Sequence, residues 1–308
     1  MSTTKYPDYI PSQDIPSLTN KVLLITGGTA GLGHQTILTL APHNPSRILF
    51  TGRNTSAAKS VIESTKALNP KIDISFIQCD FTSLPSVKSA AQKVLAENDR
   101  LDILMCNAGV MAIPKGLTKD GYENQMGTNH LAHAMLIKTL LPLLLTTSKL
   151  PGSDVRIISS TSLGFQFART ISFPELKTER DMFFLGAFQR YGESKLANIL
   201  YAQQLAKRYP GITSVAVHPG IVHTGLVTGL KWGLRWFTYL TTIGRTIGLE
   251  DGVKNQVWAA TVPKEKGMLE NGGFYIPVGQ VGPVTRASGD KELAEKLWEW
   301  TEGELKKF

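Results

Sequence analysis

The sequence contains few cysteines and no long uninterrupted apolar run. Its 308 residues include two cysteines, Cys79 and Cys106. Neither lies in a Cys-x-x-Cys or Cys/His spacing, so we expect buried free thiols in a reducing compartment and no metal site. Lysine or arginine interrupts every apolar stretch before it reaches the roughly 18 residues of a membrane span, and the proline-punctuated N-terminus lacks an apolar signal region. The sequence therefore predicts a cytoplasmic protein without stable membrane insertion.

The charge balance is basic. The chain has 33 Lys and Arg against 25 Asp and Glu, a formal net charge of +8 and a pI near 9.4. A basic balance is typical of proteins that bind nucleic acid, a membrane surface or an anionic cofactor. The basic residues are scattered and do not form a run or a stretch interleaved with aromatic residues. We therefore expect no nucleic-acid partner.

From about residue 20 onwards, short apolar runs alternate with longer amphipathic ones. The predicted strands are Val22–Thr26, Arg47–Thr51, Ile72–Cys79, Leu101–Asn107, Val155–Thr161 and Thr213–Val217. The first predicted helix ends near Leu40. The other four cover Ser56–Leu68, Val87–Glu97, Asn124–Leu145 and Ser194–Arg208. This alternation predicts an α/β fold with a single Rossmann-like, doubly wound parallel sheet and helices on both faces. No linker divides the chain, so we predict one domain over residues 1–308 with an N-terminal arm over 1–19.

The first strand runs directly into a glycine-rich loop. Residues 22–33 read VLLITGGTAGLG, and a helix is predicted to follow. Glycine permits a tight turn and a close approach to a pyrophosphate, while the helix N-terminus offers unpaired N–H donors to that anion. The order of strand, glycines and helix predicts a dinucleotide-binding loop. Its candidate cofactor-binding residues are Gly27, Thr29, Gly31, Leu32 and Gly33.

The end of the second predicted strand indicates which dinucleotide binds. An acidic residue at this place accepts a hydrogen bond from the ribose 2′-hydroxyl of NAD, whereas an arginine accommodates the 2′-phosphate of NADP. This sequence reads LFTGRN, with Arg53 and no nearby acid. We therefore predict NADP(H) as the cofactor, because a guanidinium suits a phosphate. The alternative interpretation is an ordinary solvent-facing arginine.

A tyrosine and a lysine stand four residues apart in YGESK at 191–195. On a helix, Tyr191 and Lys195 share one face. A nearby cation favours phenolate, so we expect Lys195 to lower the pKa of Tyr191 from its ordinary value near 10 towards neutrality. The pair could then exchange a proton with a carbonyl or alcohol oxygen. Alone the motif is weak, since such pairs are frequent on helices.

Further motifs follow in a fixed order. TGGTAGLG at 26–33 and Arg53 precede CDFTSL from Cys79, CNAG at 106–109, NHLAH from Asn129, YGESK and HPGIVHT at 218–224. Over roughly residues 20–225 this ordered set resembles the short-chain dehydrogenase/reductase family, and within it the retinol-dehydrogenase-like branch. The resemblance implies an NADP(H)-dependent oxidoreductase that reduces a ketone or aldehyde and, in reverse, oxidises a secondary alcohol. It makes Tyr191 the proton donor or acceptor.

The resemblance also implies roles for other residues. Asn129 is similar to the family's fourth catalytic residue, which holds a water linking Lys195 to bulk solvent; the alternative is an asparagine on a helix surface. Lys195 is also expected to bond the nicotinamide ribose. The remaining implied cofactor-binding residues are Asp80 with Phe81 near the adenine, Asn107, Ala108 and Gly109 beside the cofactor, and Pro219, Val222 and Thr224 over the nicotinamide.

The catalytic serine has two candidates. The stretch VRIISSTSLGF ends the fifth predicted strand. The resemblance places the serine that bonds the substrate oxygen at Ser162. Ser160, two residues earlier and hence on the same strand face, is the second candidate.

The substrate is expected to be a small apolar or aromatic carbonyl compound or alcohol. Residues 225–250 contain Trp232, Trp236, Phe237 and Tyr239 and are predicted to form a lid, although helix-on-sheet packing and peripheral membrane contact are alternatives. The insertion Gly164–Arg190 is either part of the substrate entrance or a surface excursion. The C-terminal LAEKLWEWTEGELKKF predicts an amphipathic helix with Leu297, Trp298 and Leu305 as anchors, either structural or facing a second copy in a homodimer.

Two other function classes compete with carbonyl reduction. One is a non-catalytic NADP-binding regulatory protein, and the intact set of Ser162, Tyr191, Lys195 and Asn129 argues against it. The other is a different chemistry on the same scaffold, such as enoyl reduction or cyclisation. The absence of a membrane anchor favours a soluble aromatic or polyketide-like compound of secondary metabolism over a membrane retinoid.

Overall fold

The computed structural model describes residues 9–180, 186–222 and 246–308. Its strands are β1 Val22–Ile25, β2 Arg47–Gly52, β3 Asp73–Gln78, β4 Ile103–Cys106, β5 Arg156–Ser160, β6 Thr213–Val217, β7 Ile221–Val222, β8 Thr246–Ile247, β9 Phe274–Ile276 and β10 Gln280–Val281. Its helices are α1 Pro11–Asp14, α2 Gly31–Leu40, α3 Thr55–Leu68, α4 Leu84–Glu97, α5 Asn124–Met126, α6 Ala132–Ser148, α7 Gly186–Arg208, α8 Leu249–Thr261 and α9 Lys291–Leu305.

The main sheet has eight strands in the order β10-β9-β6-β5-β4-β1-β2-β3. Its strand pairs are parallel except β9 and β10, which are antiparallel. From β1 the chain builds outwards through β2 and β3, and then returns to add β4 on the other side of β1. This reversal opens a crevice at the carboxyl ends of β1 and β4, where open α/β sheets bind ligands. The predicted doubly wound parallel sheet is confirmed.

Side chains that alternate along the strands divide the core into two layers. On one face Leu24, Leu104 and Ile157 pack with α4, α6, α7 and α9. On the other face Leu23 and Phe50, with neighbouring strand residues, pack with α2, α3 and α8. The central strands are buried on both faces, as their continuous apolar runs predict. Helices therefore cover both faces, and the strand ends at the crevice are left to bind a ligand.

The structure corrects several predicted boundaries and adds elements. Helix α7 begins at Gly186, so Tyr191 lies in its second turn instead of at its start. The predicted helix Asn124–Leu145 is interrupted, because Gly127–Leu131 forms a π turn between α5 and α6. Neither α8 nor the antiparallel β9–β10 pair was predicted. The C-terminal helix is confirmed as α9, in which Leu297 and Leu305 are buried.

The segment Asn124–Ser148 is long and apolar enough to cross a membrane, with a mean hydropathy of 1.4. However, 61% of the 18-residue window within it that has this hydropathy is buried inside the molecule. Helix α6 packs against α4, as a core helix of the α/β sandwich does.

The N-terminal arm, the insertion and the predicted lid are only partly described. In the N-terminal arm, Tyr9, Ile15 and Leu18 are buried against the core. Of the predicted lid over 225–250, only residues 246–250 are described; they form β8, which pairs with β7, and the start of α8. The lid aromatics lie outside the described residues.

Candidate active site

A cavity of about 470 Å³ opens at the carboxyl ends of β1 to β4. Ten of the predicted cofactor-binding residues line it: Gly27, Thr29, Gly31, Leu32, Arg53, Asp80, Phe81, Asn107, Ala108 and Gly109. They come from four separate loops, which the parallel sheet brings to one edge. The cavity therefore lies at the switch point of the sheet, where a dinucleotide is expected.

The glycines of the first loop leave no room for side chains. Gly27 and Gly31 have positive φ angles of 68° and 55°, which favour glycine. A Cβ at Gly33 would lie 2.4 Å from the Gly27 carbonyl oxygen and 2.7 Å from Asn107 Nδ2. The loop therefore folds tightly onto the N-terminus of α2, whose first turn carries no acidic residue. Free N–H groups and the absence of a carboxylate suit a bound phosphate.

Thr26 joins the glycine loop to the CNAG turn, and the sequence analysis missed it. Its hydroxyl accepts hydrogen bonds from the backbone N–H groups of Asn107 at 2.8 Å and Ala108 at 2.9 Å. The Asn107 amide in turn donates to the Thr26 carbonyl at 2.9 Å. These three bonds fix the spacing of the two loops that form opposite cavity walls.

Arg53 and Asp80 lie at the outer end of the cavity. The Arg53 side chain is exposed and pairs with no acid in the described part of the chain. Burial of the Asp80 carboxyl would raise its pKa, but hydrogen bonds from Lys119 and Thr82 outweigh that effect and lower it. Asp80 therefore stays ionised and is held by Thr82 and by Lys119 at 2.8 Å.

Asn129 lies in the π turn and is fully buried, which rules out the alternative of a helix-surface asparagine. Its side chain bonds both backbone groups of Val110, accepting at 2.8 Å and donating at 2.9 Å. It also donates to the Ser194 hydroxyl at 2.9 Å, which bonds the Tyr191 carbonyl. π turns within α-helices occur frequently at functional sites. Here the turn connects the cavity wall to helix α7.

The Tyr191 phenol lies beside the Ser162 side chain, close enough for the Ser162 hydroxyl to lower the pKa of Tyr191. The residues around them are small: a Cβ at Gly164 would lie 3.2 Å from the Tyr191 ring, and a Cβ at Gly192 would lie 2.7 Å from the Gly164 carbonyl oxygen. The segment after β5 can therefore run directly across α7. The structure thus brings the Ser162 side chain, and not that of Ser160, to Tyr191.

The Lys195 ammonium lies near Gly109, one of the residues that line the cavity. Its Nζ donates to the Ser160 carbonyl oxygen at 3.1 Å, and a Cβ at Gly109 would lie 3.6 Å from it. Burial lowers the pKa of Lys195 to about 8. Ser160 thus participates through its backbone, since its carbonyl also accepts from Asn198 at 3.0 Å.

The expected lowering of the pKa of Tyr191 is not found in this arrangement. Burial raises the pKa of Tyr191 to about 12, and the nearby Ser162 hydroxyl only partly opposes that rise. Lys195 Nζ lies 5.5 Å from the centre of the Tyr191 ring and bonds a carbonyl instead of the phenol oxygen. Desolvation therefore dominates over the nearby cation.

His133 is a second residue that the sequence analysis did not single out. Its Nδ1 contacts the Asn129 carbonyl oxygen and its Nε2 contacts the Thr26 hydroxyl, both at 3.0 Å. A carbonyl only accepts, so Nδ1 carries the proton. Burial lowers the pKa of His133 to about 4, so the ring is neutral and Nε2 accepts from Thr26. His133 thereby connects the glycine loop to the π turn.

Not every predicted residue borders the cavity. Gly33 packs against the Gly27 carbonyl and does not line the cavity. Tyr191 and Lys195 do not line it either, although Lys195 Nζ lies near Gly109, which does. Pro219 follows β6, and Val222 packs in β7 near Gly252; neither lines the cavity. Thr224 lies outside the described residues.

The glycine loop, the α2 N-terminus and the switch-point cavity define a dinucleotide-binding α/β protein. A buried tyrosine, lysine and asparagine and a half-buried serine lie behind the cavity lining, where Asn129 bonds Val110 and Lys195 lies near Gly109. The short chain dehydrogenase family model matches residues 21–170. A short-chain dehydrogenase/reductase of Aspergillus calidoustus is 36% identical over 307 residues, covering 95% of this chain and 96% of that protein. The chain belongs to the short-chain dehydrogenase/reductase family and is an oxidoreductase of that family.

Other comparisons agree. An uncharacterized oxidoreductase of Schizosaccharomyces pombe is 36% identical, covering 94% of this chain and 86% of that protein. A solved structure from Mycobacterium paratuberculosis superposes with a TM-score of 0.74 at 26% identity, covering 97% of each chain. The Pseudomonas aeruginosa RhlG/NADP active-site complex superposes with a TM-score of 0.65 at 24% identity, covering 85% of this chain and 96% of that chain, and shows the fold alone. The retinol-dehydrogenase-like branch stays a prediction.

Proposed function

We propose that this protein is an NADP(H)-dependent oxidoreductase that reduces a ketone or aldehyde to an alcohol and catalyses the reverse oxidation. The observation that carries the proposal is the placement of the Ser162 hydroxyl beside the Tyr191 phenol, since a Cβ at Gly164 would lie 3.2 Å from the Tyr191 ring and 3.4 Å from the Ser162 hydroxyl oxygen. This pair stands next to Lys195, which lies near Gly109 in the lining of a cavity whose glycine loop fits a dinucleotide phosphate. Family membership supports a nicotinamide cofactor.

In this proposal Tyr191 delivers the proton. Since burial raises its pKa to about 12, the phenol holds its proton at neutral pH and suits the role of an acid towards a carbonyl oxygen. Ser162 holds the same oxygen by a hydrogen bond. The nicotinamide, when bound, supplies the hydride to the carbonyl carbon. In the reverse oxidation the same oxygen of Tyr191 takes the proton back from the alcohol.

Lys195 and Asn129 support the proton transfer. A lysine with a pKa of about 8 releases and regains a proton near neutral pH, so Lys195 can replace the proton that Tyr191 gives up. Asn129 fixes the wall of the cavity through Val110 and reaches helix α7 through Ser194. The proposed catalytic set is Ser162, Tyr191, Lys195 and Asn129.

The preference for NADP(H) rests on Arg53. Its guanidinium stands at the cavity rim after β2, and a Cβ at Gly52 would lie 2.5 Å from Thr29, so this strand end lies directly against the glycine loop. If the pyrophosphate binds that loop, Arg53 is the residue that would hold the 2′-phosphate of the adenosine ribose. The unpaired cation in the described chain suits a 2′-phosphate better than a 2′-hydroxyl.

Replacing Arg53 by alanine is expected to raise the Kd for NADPH by roughly 10- to 100-fold, as a lost charge-assisted hydrogen bond does. The Kd for NADH should change by less than about twofold, because NADH lacks the phosphate. Fluorescence titration of both nucleotides measures the two constants. Arg286→Ala, which removes an exposed arginine away from the cavity, is the control. Equal losses for both nucleotides in Arg53→Ala would refute the NADP(H) assignment.

The proposed substrate is a small apolar or aromatic carbonyl compound. Leu163 and Phe167 follow Ser162 and are 36% and 60% exposed. The Phe167 ring lies 6.4 Å from that of Phe188, beside the turn that carries Tyr191. Exposed apolar side chains this close to a polar centre suit a ring-containing ligand. The single domain, the homodimer and the cytoplasmic location remain predictions.

An assay of NADPH oxidation tests the reaction. Ketones, aldehydes, quinones and steroids are added in turn to the wild-type protein, and we expect turnover with apolar ring-containing carbonyls. NADPH binding without turnover of any compound would instead favour a regulatory protein.

A further inference from the structure

Four charged side chains are buried around the first turns of α7. Arg180 and Glu193 have side chains that are each 2% exposed, and those of Arg190 and Glu123 are 4% and 1% exposed. We call these four residues the ion-pair cluster. Charged groups are rarely buried to this extent unless they are paired. The reaction proposed above uses none of them.

The cluster consists of two pairs that are joined to each other. Arg180 forms a bidentate pair with Glu193, with nitrogen–oxygen distances of 2.7 and 2.9 Å. Arg190 Nε lies 3.2 Å from Glu123 Oε1, and Arg190 Nη1 donates to the Arg180 carbonyl oxygen at 3.1 Å. The four charges sum to zero.

Each pair joins α7 to a different part of the site. Glu193 also accepts from the backbone N–H of Ser172, so it holds the insertion at two points. Glu123 caps α5 by accepting from two of its backbone N–H groups, and Arg190 donates to the carbonyl of Ile113, a cavity-lining residue. The insertion, the helix before the π turn and the cavity wall are therefore fastened to one turn of α7.

That turn carries Tyr191. Arg190 and Glu193 stand one residue before and two residues after it, so they project to other sides of the helix and leave the face of Tyr191 free. On the insertion side, Gly164 and Gly192 are in close backbone contact, and the Tyr191 phenol reaches Ser162. A shift of the insertion relative to α7 would separate the two hydroxyls.

We propose that Arg180, Glu193, Arg190 and Glu123 are positioning residues, which hold the insertion and helix α7 in the register that keeps the Ser162 and Tyr191 hydroxyls together. Buried ion pairs contribute little net stability relative to apolar replacements, so their retention is better explained by a geometric role. This inference rests on the proposed function.

The test compares Arg180→Met, Glu193→Gln and the double variant Arg180→Met/Glu193→Gln. Arg180→Met leaves the buried Glu193 without its partner, and Glu193→Gln leaves the buried Arg180 with only the exposed Glu175 at 3.2 Å, so each single change lowers Tm. The double change removes both buried charges and restores part of the Tm. If the cluster positions the hydroxyls, kcat falls by roughly 10- to 100-fold in all three variants, including the double variant. The Kd for NADPH stays within about twofold of wild type, because the glycine loop is untouched.

The control is Arg156→Met. Arg156 is equally buried and pairs with Asp154 and the Ala259 carbonyl, but it starts β5, far from Tyr191. The Arg156→Met variant should have a lower Tm, and its kcat at temperatures below the unfolding transition should equal that of the wild type. Hydrogen exchange gives a readout that does not depend on a substrate. We expect the amides of residues 163–168 to exchange at least about tenfold faster in Arg180→Met than in the wild type, and at the wild-type rate in Arg156→Met. If Arg180→Met does not fold, Arg180→Lys, which keeps the charge but loses the bidentate geometry, replaces it.

The inference would be overturned if kcat recovered together with Tm in the double variant, because the cluster would then be merely structural. Unchanged exchange at residues 163–168 in Arg180→Met would also overturn it. Failure of the proposed function is a separate result, visible in the wild type as NADPH binding without turnover. In that case the exchange comparison still decides whether the cluster fastens the insertion to α7.

Discussion

Replacing Tyr191 by phenylalanine is expected to lower kcat for carbonyl reduction by roughly 10²- to 10⁴-fold, the usual contribution of general acid catalysis. The ring still fills its place beside Gly164, so packing is retained. The Kd for NADPH should stay within about twofold of wild type, because the residues that line the dinucleotide cavity are unchanged. Steady-state kinetics with a carbonyl substrate, combined with nucleotide titration, separate the two effects.

Helix α7 offers a matched control for this change. Tyr201 is also buried, and its ring stacks on Trp298 at 5.2 Å, ten residues further along the helix. Tyr201→Phe removes a buried hydroxyl from the same helix without touching Ser162 or Lys195, and kcat should be unaffected. Activity of Tyr191→Phe equal to that of Tyr201→Phe would show that another group delivers the proton.

The second large effect distinguishes the two serines. We expect Ser162→Ala to lower kcat by roughly 10²- to 10³-fold, as loss of one donor to a reacting oxygen does. We expect Ser160→Ala to remain close to wild type, because Ser160 bonds Lys195 and Asn198 through its backbone carbonyl, which alanine keeps. Kinetic comparison of the two variants at equal NADPH saturation is the measurement.

Ser162 has one structural role that needs a control. Its hydroxyl also accepts from the Gly164 N–H at 3.1 Å, so its removal could loosen the following turn. Ser162→Thr keeps the hydroxyl and should retain more activity than Ser162→Ala. The opposite ranking of the serines, with Ser160→Ala the more damaging change, would move the catalytic role to Ser160.

Much of the fold could be predicted because its signals are local. Alternating apolar runs located all six central strands, and Thr213–Val217 was predicted to the residue. The strands β9 and β10 have three and two residues, too short to show a periodicity. The start of α7 was missed because residues before Tyr191 looked like part of a polar insertion. There the helix is stabilised by tertiary ion pairs that local sequence does not show.

The site residues that could be predicted are those whose residue type is required by the local backbone conformation. Glycine at Gly27 and Gly31 satisfies a positive φ, which the loop pattern indicated. Thr26 and His133 were missed because they act by joining segments that are distant in sequence. Ion-pair partners such as Arg190 and Glu123 are not marked by a local sequence pattern either, because only the fold brings them together.

The pKa of Tyr191 shows a further limit of the sequence. Spacing on a helix placed Lys195 near the phenol, and from this we expected a lowered pKa. Spacing does not report burial, and burial raises the pKa of Tyr191 to about 12 while lowering that of Lys195 to about 8. The opposite shifts favour a protonated phenol beside a lysine that can resupply its proton.

The central claim is that Tyr191 and Ser162 direct hydride transfer from NADPH to a carbonyl carbon. The most direct test uses NADPH deuterated at both C4 positions and a carbonyl substrate found by the turnover assay, with mass spectrometry of the product. The account predicts one deuterium on the alcohol carbon for each NADPH consumed, and roughly 10²- to 10⁴-fold less labelled alcohol from Tyr191→Phe over the same time. Deuterium at a carbon beyond the carbonyl would indicate enoyl reduction, and product without deuterium would indicate a non-redox reaction; either result would contradict the account.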